Sequence, residues 1–222
     1  MSRALCPRCE RPLLTCLCTW LRPTLNRVRV LLLQHPHEVH EAKGSARLLQ
    51  LSLAQVQLEV GEVFEPAALA ACLGAPGKSV LLYPETPHGM ASSPAPRPPH
   101  SGDHRGAARP TVTALPSTPQ QLVVLDATWK KSLRMLAHNP LLHALPRLPL
   151  ADTEPSAYGE LRRAPKPGQL STLEATCHAL QALESAADPD AAARYRPLLQ
   201  AFDDWVAECV GRVERVVPPP RG

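Results

Sequence analysis

The stretch that most limits what this chain can fold into is a strand that runs into an acid and restarts as a helix. Leu122, Val123, Val124 and Leu125 are consecutive apolar residues. Such a run reads as a short strand buried on both faces. Asp126, Ala127 and Thr128 follow, and Trp129, Leu133, Leu136 and Ala137 then recur at helical spacing. Strands buried on both faces belong to mostly parallel sheets covered by helices, so the fold class expected is α/β. The acid would then stand at a strand's carboxyl end, where ligands bind in open α/β sheets. Two roles are open to it. Asp126 could cap the following helix, accepting bonds from its orphan N–H groups, or it could be a functional carboxylate.

The chain is long enough, at 222 residues, for one well-buried domain with a small appendage. Its formal net charge of +4 permits a polyanionic partner without demanding one. No apolar run approaches the roughly 18 residues that a membrane span needs. The opening MSRALCPRCERP has no apolar core of a secretory signal. A cytosolic protein is expected, with no membrane partner. In a reducing compartment, clustered cysteines mean metal or catalysis more often than disulfides.

Four of the seven cysteines do cluster: Cys6, Cys9, Cys16 and Cys18 fall close together near the start. Two thiol pairs joined by a short loop can wrap one tetrahedral Zn²⁺, although the second pair has one intervening residue rather than the usual two. A closed four-sulfur site leaves no open coordination position, so a structural ion is expected and residues 1–24 read as a zinc-binding segment, the alternatives being a reduced cluster without metal or a redox pair. Cys72, Cys177 and Cys209 lie in helix-like surroundings and read as small core residues.

Farther along, Val28 to Leu33 reads as the first buried strand. His35, His37 and His40 follow it with Glu38 and Glu41, but their spacing is not that of a zinc enzyme, and solvated loop histidines are expected. Gly44 and Ser45 open a helix whose first N–H groups could face an anion, with Arg47 beside them. A strand or loop at VQLEV and a helix PAALAACL ending at Gly74 come next. A further buried strand, SVLLYPE, stops at a polar end with Tyr83, Pro84 and Glu85. Residues 88–119 change character: Pro, Ser, Gly and Ala dominate and no apolar period survives, as in a disordered insertion. Pro140 and Pro146 break the helix after Asp126. Ser171 and Glu174 fit a capping box, and Leu173, Cys177, Leu180 and Leu183 mark the apolar face of the helix it opens. A final amphipathic helix completes a domain spanning 25–215.

Taken in order, CPRC and CLC, HPHE and GSARLL, LLYP, LDATWKKS, NPLL, LPR, PSAYGELRR and LSTLEA resemble the DTW-domain proteins over nearly the whole length. Ser45 replaces a common threonine and keeps its hydroxyl, while Glu85 stands where a small residue is expected. The resemblance implies a SPOUT-like, mostly parallel sheet flanked by helices. It also implies a tRNA-uridine aminocarboxypropyltransferase, which moves the 3-amino-3-carboxypropyl group of S-adenosylmethionine to N3 of a tRNA uridine. Asp126, Thr128 and Trp129 would be its catalytic residues, with Asp126 as the base for the N3 proton. Tyr83, Pro84, Leu125, Asp126, Leu170, Ser171, Thr172 and Glu174 would surround the cosubstrate. Ser171 and Thr172 would grip its carboxylate with N–H groups and a hydroxyl. Arg47, Lys130, Arg162, Arg163 and Lys166 would meet tRNA phosphates, and the protein would act as a monomer. Two rival readings stay open at this point: a SPOUT-like RNA methyltransferase using the same cosubstrate, and a non-catalytic zinc-ribbon RNA-binding module.

Overall fold

The apolar runs pair with one another along their lengths. In the computed structural model, which describes residues 4–39, 41, 43–84, 119–150 and 170–216, five strands form one parallel sheet. These are β1 (Arg29–Gln34), β2 (Val56–Val60), β3 (Ser79–Leu82), β4 (Gln121–Asp126) and β5 (Arg147–Leu148). Their order is β2-β1-β4-β3-β5. Leu31, Leu32 and Leu33 in β1 and Leu122, Val123 and Val124 in β4 are all buried. Their central residues are apolar and buried, so these two strands lie inside the sheet, whereas VQLEV, with Gln57 and Val60 exposed, takes an edge.

Each face of the sheet is covered by helices. On one face Val30, Leu32, Val80, Leu122 and Val124 pack with α1 (Ala46–Ser52), α5 (Thr172–Glu184) and α6 (Ala191–Val216). The opposite face, with Leu31, Leu33, Leu81 and Val123, is covered by α2 (Pro66–Leu73), α3 (Trp129–His138) and α4 (Pro140–His143). The mixed α/β architecture with a helix-flanked parallel sheet is therefore as the sequence implied. The capping box also forms, with Glu174 N–H donating to Ser171 Oγ and Ser171 N–H to Glu174 Oε2. Leu173, Cys177 and Leu180 on that helix are fully buried. At the end of α2, Gly74 adopts φ +71°, which stops the helix where a side chain would be strained. The N-terminal cysteine segment packs into the first of these clusters through Cys6, Cys9, Leu17 and Leu21.

Two sequence expectations are corrected here. The apolar spacing in α3 marks its buried face only in part: Leu136 is buried, together with Ser132 and Met135, while Trp129 and Leu133 face solvent. His35 is no solvated loop histidine. It is buried, accepts a bond at Nδ1 from the His37 N–H and meets Glu62 Oε2 at 3.2 Å through Nε2. The insertion at 88–119 lies outside the described residues except for Pro119. Among the described residues no helix is long and apolar enough to cross a membrane.

The chain leaves β1 toward β2 through α1 on one face, and leaves β4 toward β5 through α3 and α4 on the other. The carboxyl ends of β1 and β4 thus flank the point where connections diverge, the usual ligand crevice of an open α/β sheet. Asn139 joins α3 to the loop after β2: its amide donates to Glu62 O and Met135 O, and its oxygen accepts from Phe64 N–H. Replacing it with alanine strands these buried backbone groups, so Asn139→Ala should lower unfolding free energy by roughly 1–3 kcal/mol, read from urea denaturation.

Candidate functional site

At the crevice, the last residues of β1 and β4 stand opposite each other, Gln34 beside Asp126. The Asp126 side chain is buried, with 7% of the residue exposed. Burying an unpaired carboxylate is costly, so its oxygens must find donors. Gln34 Nε2 donates to Oδ2 at 2.8 Å, and the Thr172 hydroxyl donates to Oδ1 at 2.6 Å. Thr128, not Asp126, holds the N-cap position of α3. Three elements therefore converge on one acid: β1, β4 and the first turn of α5.

The donors at the start of α5 have partners within the chain. Ser171 and Glu174 satisfy each other, the Leu173 N–H donates to Ser45 Oγ at 3.2 Å, and the Thr172 hydroxyl is held by Asp126. Ser45, read from sequence as part of an anion-facing turn, is instead a clasp between α1 and α5. Leu125 and Leu170 are half-buried beside this corner. Tyr83 and Trp129 lie on the α3 side of the sheet, their rings stacked, while Pro84 is exposed.

The cationic residues divide. Arg47 bonds to Gln50, to Arg8 O and to Glu10, which ties α1 to the cysteine segment. Lys130 is exposed at the start of α3, and its neighbour Lys131 pairs with buried Glu38 at 2.8 Å. Arg162, Arg163 and Lys166 lie outside the described residues. Sequence reasoning missed Gln34, which ends an apolar strand and carries no local signal of its role. It also missed Arg147, whose guanidinium carbon stands 5.1 Å over the Tyr83 ring and whose buried Nη1 has no hydrogen-bond partner among the described residues.

The four clustered cysteines meet. Cys6 and Cys18 sulfurs are 3.6 Å apart, Cys9 and Cys16 sulfurs 3.7 Å apart, and all four lie within 4.8 Å of one another. A tetrahedral ion with zinc–sulfur bonds of about 2.3 Å needs sulfurs about 3.8 Å apart, so the set fits zinc. Backbone N–H groups of Leu17 and Cys18 approach the Cys9 and Cys16 sulfurs at 3.5 Å, the pattern that supports thiolates. N–H bonds from Cys9 and Arg8 draw the Cys6 thiol down to about 6, whereas burial and the neighbouring thiols push Cys18 up to about 12. A dication would displace the remaining protons.

A cleft of about 570 Å³ lies at the opposite, amino-terminal end of the strands, lined by Arg27, Arg29, Gln120 and Glu184 among others. Glu184 there accepts from the Arg27 and Val28 N–H groups and pairs with Arg194, so its charge is used to hold the fold. Open parallel sheets bind ligands at the other end, and the buried acid is there too. The strand-end crevice is the candidate site.

The DTW domain matches residues 3–210. Over 188 residues the chain is 31% identical to tRNA-uridine aminocarboxypropyltransferase 2 of Drosophila melanogaster, covering 81% of this chain and 66% of that protein. The chain thus spans just under two thirds of the fly relative's length. Over 226 residues it is 28% identical to tRNA-uridine aminocarboxypropyltransferase A of Arabidopsis thaliana, covering 92% of this chain and 80% of that one. No solved structure matches.

The α5 cap makes a direct prediction. Ser171→Ala removes the acceptor for the Glu174 N–H and loosens the turn that carries Thr172. Unfolding free energy should fall by about 1 kcal/mol, measured by thermal or urea denaturation.

Proposed function

This chain belongs to the DTW-domain family, and on that premise we propose that it is a tRNA-uridine aminocarboxypropyltransferase. It takes the 3-amino-3-carboxypropyl group of S-adenosylmethionine and places it on N3 of a tRNA uridine. The observation that carries this reading is the buried Asp126 carboxylate, held by Gln34 and Thr172 in the strand-end crevice. Uridine N3 must lose its proton before it can attack. A carboxylate fixed by two donors and largely withheld from water is suited to receive it. The N3–Cγ bond then forms as the Cγ–S bond breaks, and its electron pair returns to sulfur, releasing neutral methylthioadenosine. Because the methyl carbon and Cγ sit on the same sulfonium, orientation decides which reacts.

Tyr83, Pro84, Leu125 and Leu170 border the crevice and are our candidates for enclosing the cosubstrate. Ser171, Thr172 and Glu174 shape its floor through the α5 cap, and Thr172 orients Asp126. Thr128, at the N-cap of α3, sets the entry of the helix that carries Trp129. Lys130, with Arg162, Arg163 and Lys166, supplies positive charge for tRNA phosphates, while Arg47 serves the cysteine segment. Residues 1–24 form a zinc-binding segment on a catalytic domain at 25–215, with 88–119 as an insertion. Neither rival reading is favoured: both relatives are named as aminocarboxypropyltransferases, and a formed carboxylate site gives a pure binding module no use for it.

Asp126→Asn tests the base. Asparagine can turn its oxygen to Gln34 and its amide to the Thr172 hydroxyl, so the fold and cosubstrate affinity should hold. Methylthioadenosine release should fall by roughly 10²–10⁴-fold, the usual loss for a positioned proton acceptor. Near-normal release ends the general-base assignment, and a parallel loss of cosubstrate affinity reassigns the carboxylate to the cosubstrate's ammonium group.

The sulfur geometry makes a separate prediction. Elemental analysis of purified protein should give one zinc per chain, and Cys9→Ser should lose most of it. Stability should suffer more than chemistry, because a four-sulfur site has no open position for substrate. Equal zinc in both proteins refutes the four-ligand assignment.

A further inference from the structure

Trp129, which the family resemblance implies as catalytic, has no stated part in the transfer step above. The Tyr83 and Trp129 rings lie nearly parallel, with centroids 5.2 Å apart and planes 10° apart. Tyr83 is buried, its hydroxyl lies 3.2 Å from Ser132 Oγ, and Arg147 stands over its ring. Trp129 is 56% exposed, although it is the largest apolar side chain on its helix. One turn on, Leu133 is exposed as well. The start of the apolar strip of α3, Trp129 and Leu133, is therefore turned outward, and its leading ring is braced from behind.

We infer that Trp129, backed by Tyr83, is the surface on which the acceptor uracil of tRNA stacks while its N3 is presented to Asp126. This rests on the transfer reading and deepens it. The N3 of a paired or stacked uracil is hidden inside the RNA, so the base must be splayed out, and it loses its stacking neighbours when it is. An aromatic face at the mouth of the site restores that contact, worth the most when the ring is already fixed and has little rotamer freedom to lose. The Ser132 and Arg147 contacts fix Tyr83, and Tyr83 in turn fixes Trp129. The adenine of the cosubstrate suits this ring less well. Small-ligand sites enclose most of their ligand's surface, whereas a ring more than half open at the rim fits a base that arrives attached to a macromolecule. Exposed Lys130, next in sequence, suits the flanking phosphate.

The test compares Trp129→Leu and Trp129→Phe with wild type. The probes are S-adenosylmethionine, a short oligouridylate, and bulk tRNA from a strain lacking the gene. Because the ring is exposed, both variants should fold with unchanged melting temperature. Trp129→Leu should raise KM for tRNA about 5- to 100-fold and leave cosubstrate affinity within twofold, and Trp129→Phe should restore most of the loss. Oligouridylate should quench the fluorescence of the wild type but not of Trp129→Phe, which retains the other two tryptophans. An unchanged KM in Trp129→Leu overturns the inference. So does a parallel loss of cosubstrate affinity, which would assign the ring to adenine. A wild-type protein that releases no methylthioadenosine with tRNA refutes the transfer reading instead, and the quenching comparison then still judges the stack.

Discussion

A buried carboxylate at the end of a core strand must be met by donors, and much of this structure is arranged around that requirement. Asp126 takes one donor from the neighbouring strand β1 and one from the first turn of α5. The Gln34 contact depends on β1 and β4 pairing in a register that sets their final residues opposite each other. The Thr172 contact depends on α5 starting at the right place, which the Ser171–Glu174 capping box fixes. Ser45 adds a further tie, bonding the Leu173 N–H across from α1. The site is thus assembled by the same bonds that terminate helices and align strands.

The cysteine segment addresses a different constraint. A few residues outside a sheet cannot bury enough apolar surface to order themselves, and four converging sulfurs offer the means to do so with a metal ion. The domain reaches back to hold this segment: Arg47 to Arg8 O and Glu10, Arg212 to Leu14 O, and Arg11 to Gly44 O in the other direction. These arginines are engaged on backbone carbonyls and carboxylates. Positive charge in the sequence is therefore a poor guide to which cations face a polyanion.

On the far face, polar contacts again set geometry. Glu62 meets His35 and Arg134, and Asn139 binds the carbonyl of the same residue, so the loop after β2 is fastened to α3. With α3 held through Met135 and Leu136, its Trp129 edge has no core left to enter and rests on Tyr83 instead. An exposed aromatic ring with a fixed support is what this packing leaves at the rim of the crevice.

What the sequence determined by itself was local. Runs of β-branched and leucine residues specified the buried strands, Gly74 and the prolines placed helix boundaries, Ser171 and Glu174 declared a cap, and close cysteine spacing announced a cluster of thiols. Each is encoded within a few residues, because helix and strand periodicity and capping depend on near neighbours. The partners of Asp126 were not legible in this way. Gln34 is 92 positions away and Thr172 is 46, and they meet only because the strand order inserts β4 beside β1. The same holds for the buried face of α3, where apolar spacing favoured Trp129 but packing chose Met135, and for His35, whose burial depends on Glu62 arriving from the end of a neighbouring strand. Apolar periodicity says that a residue can be buried. Which side of a helix meets the sheet is decided by the tertiary arrangement, since only there do distant elements compete for the same surface.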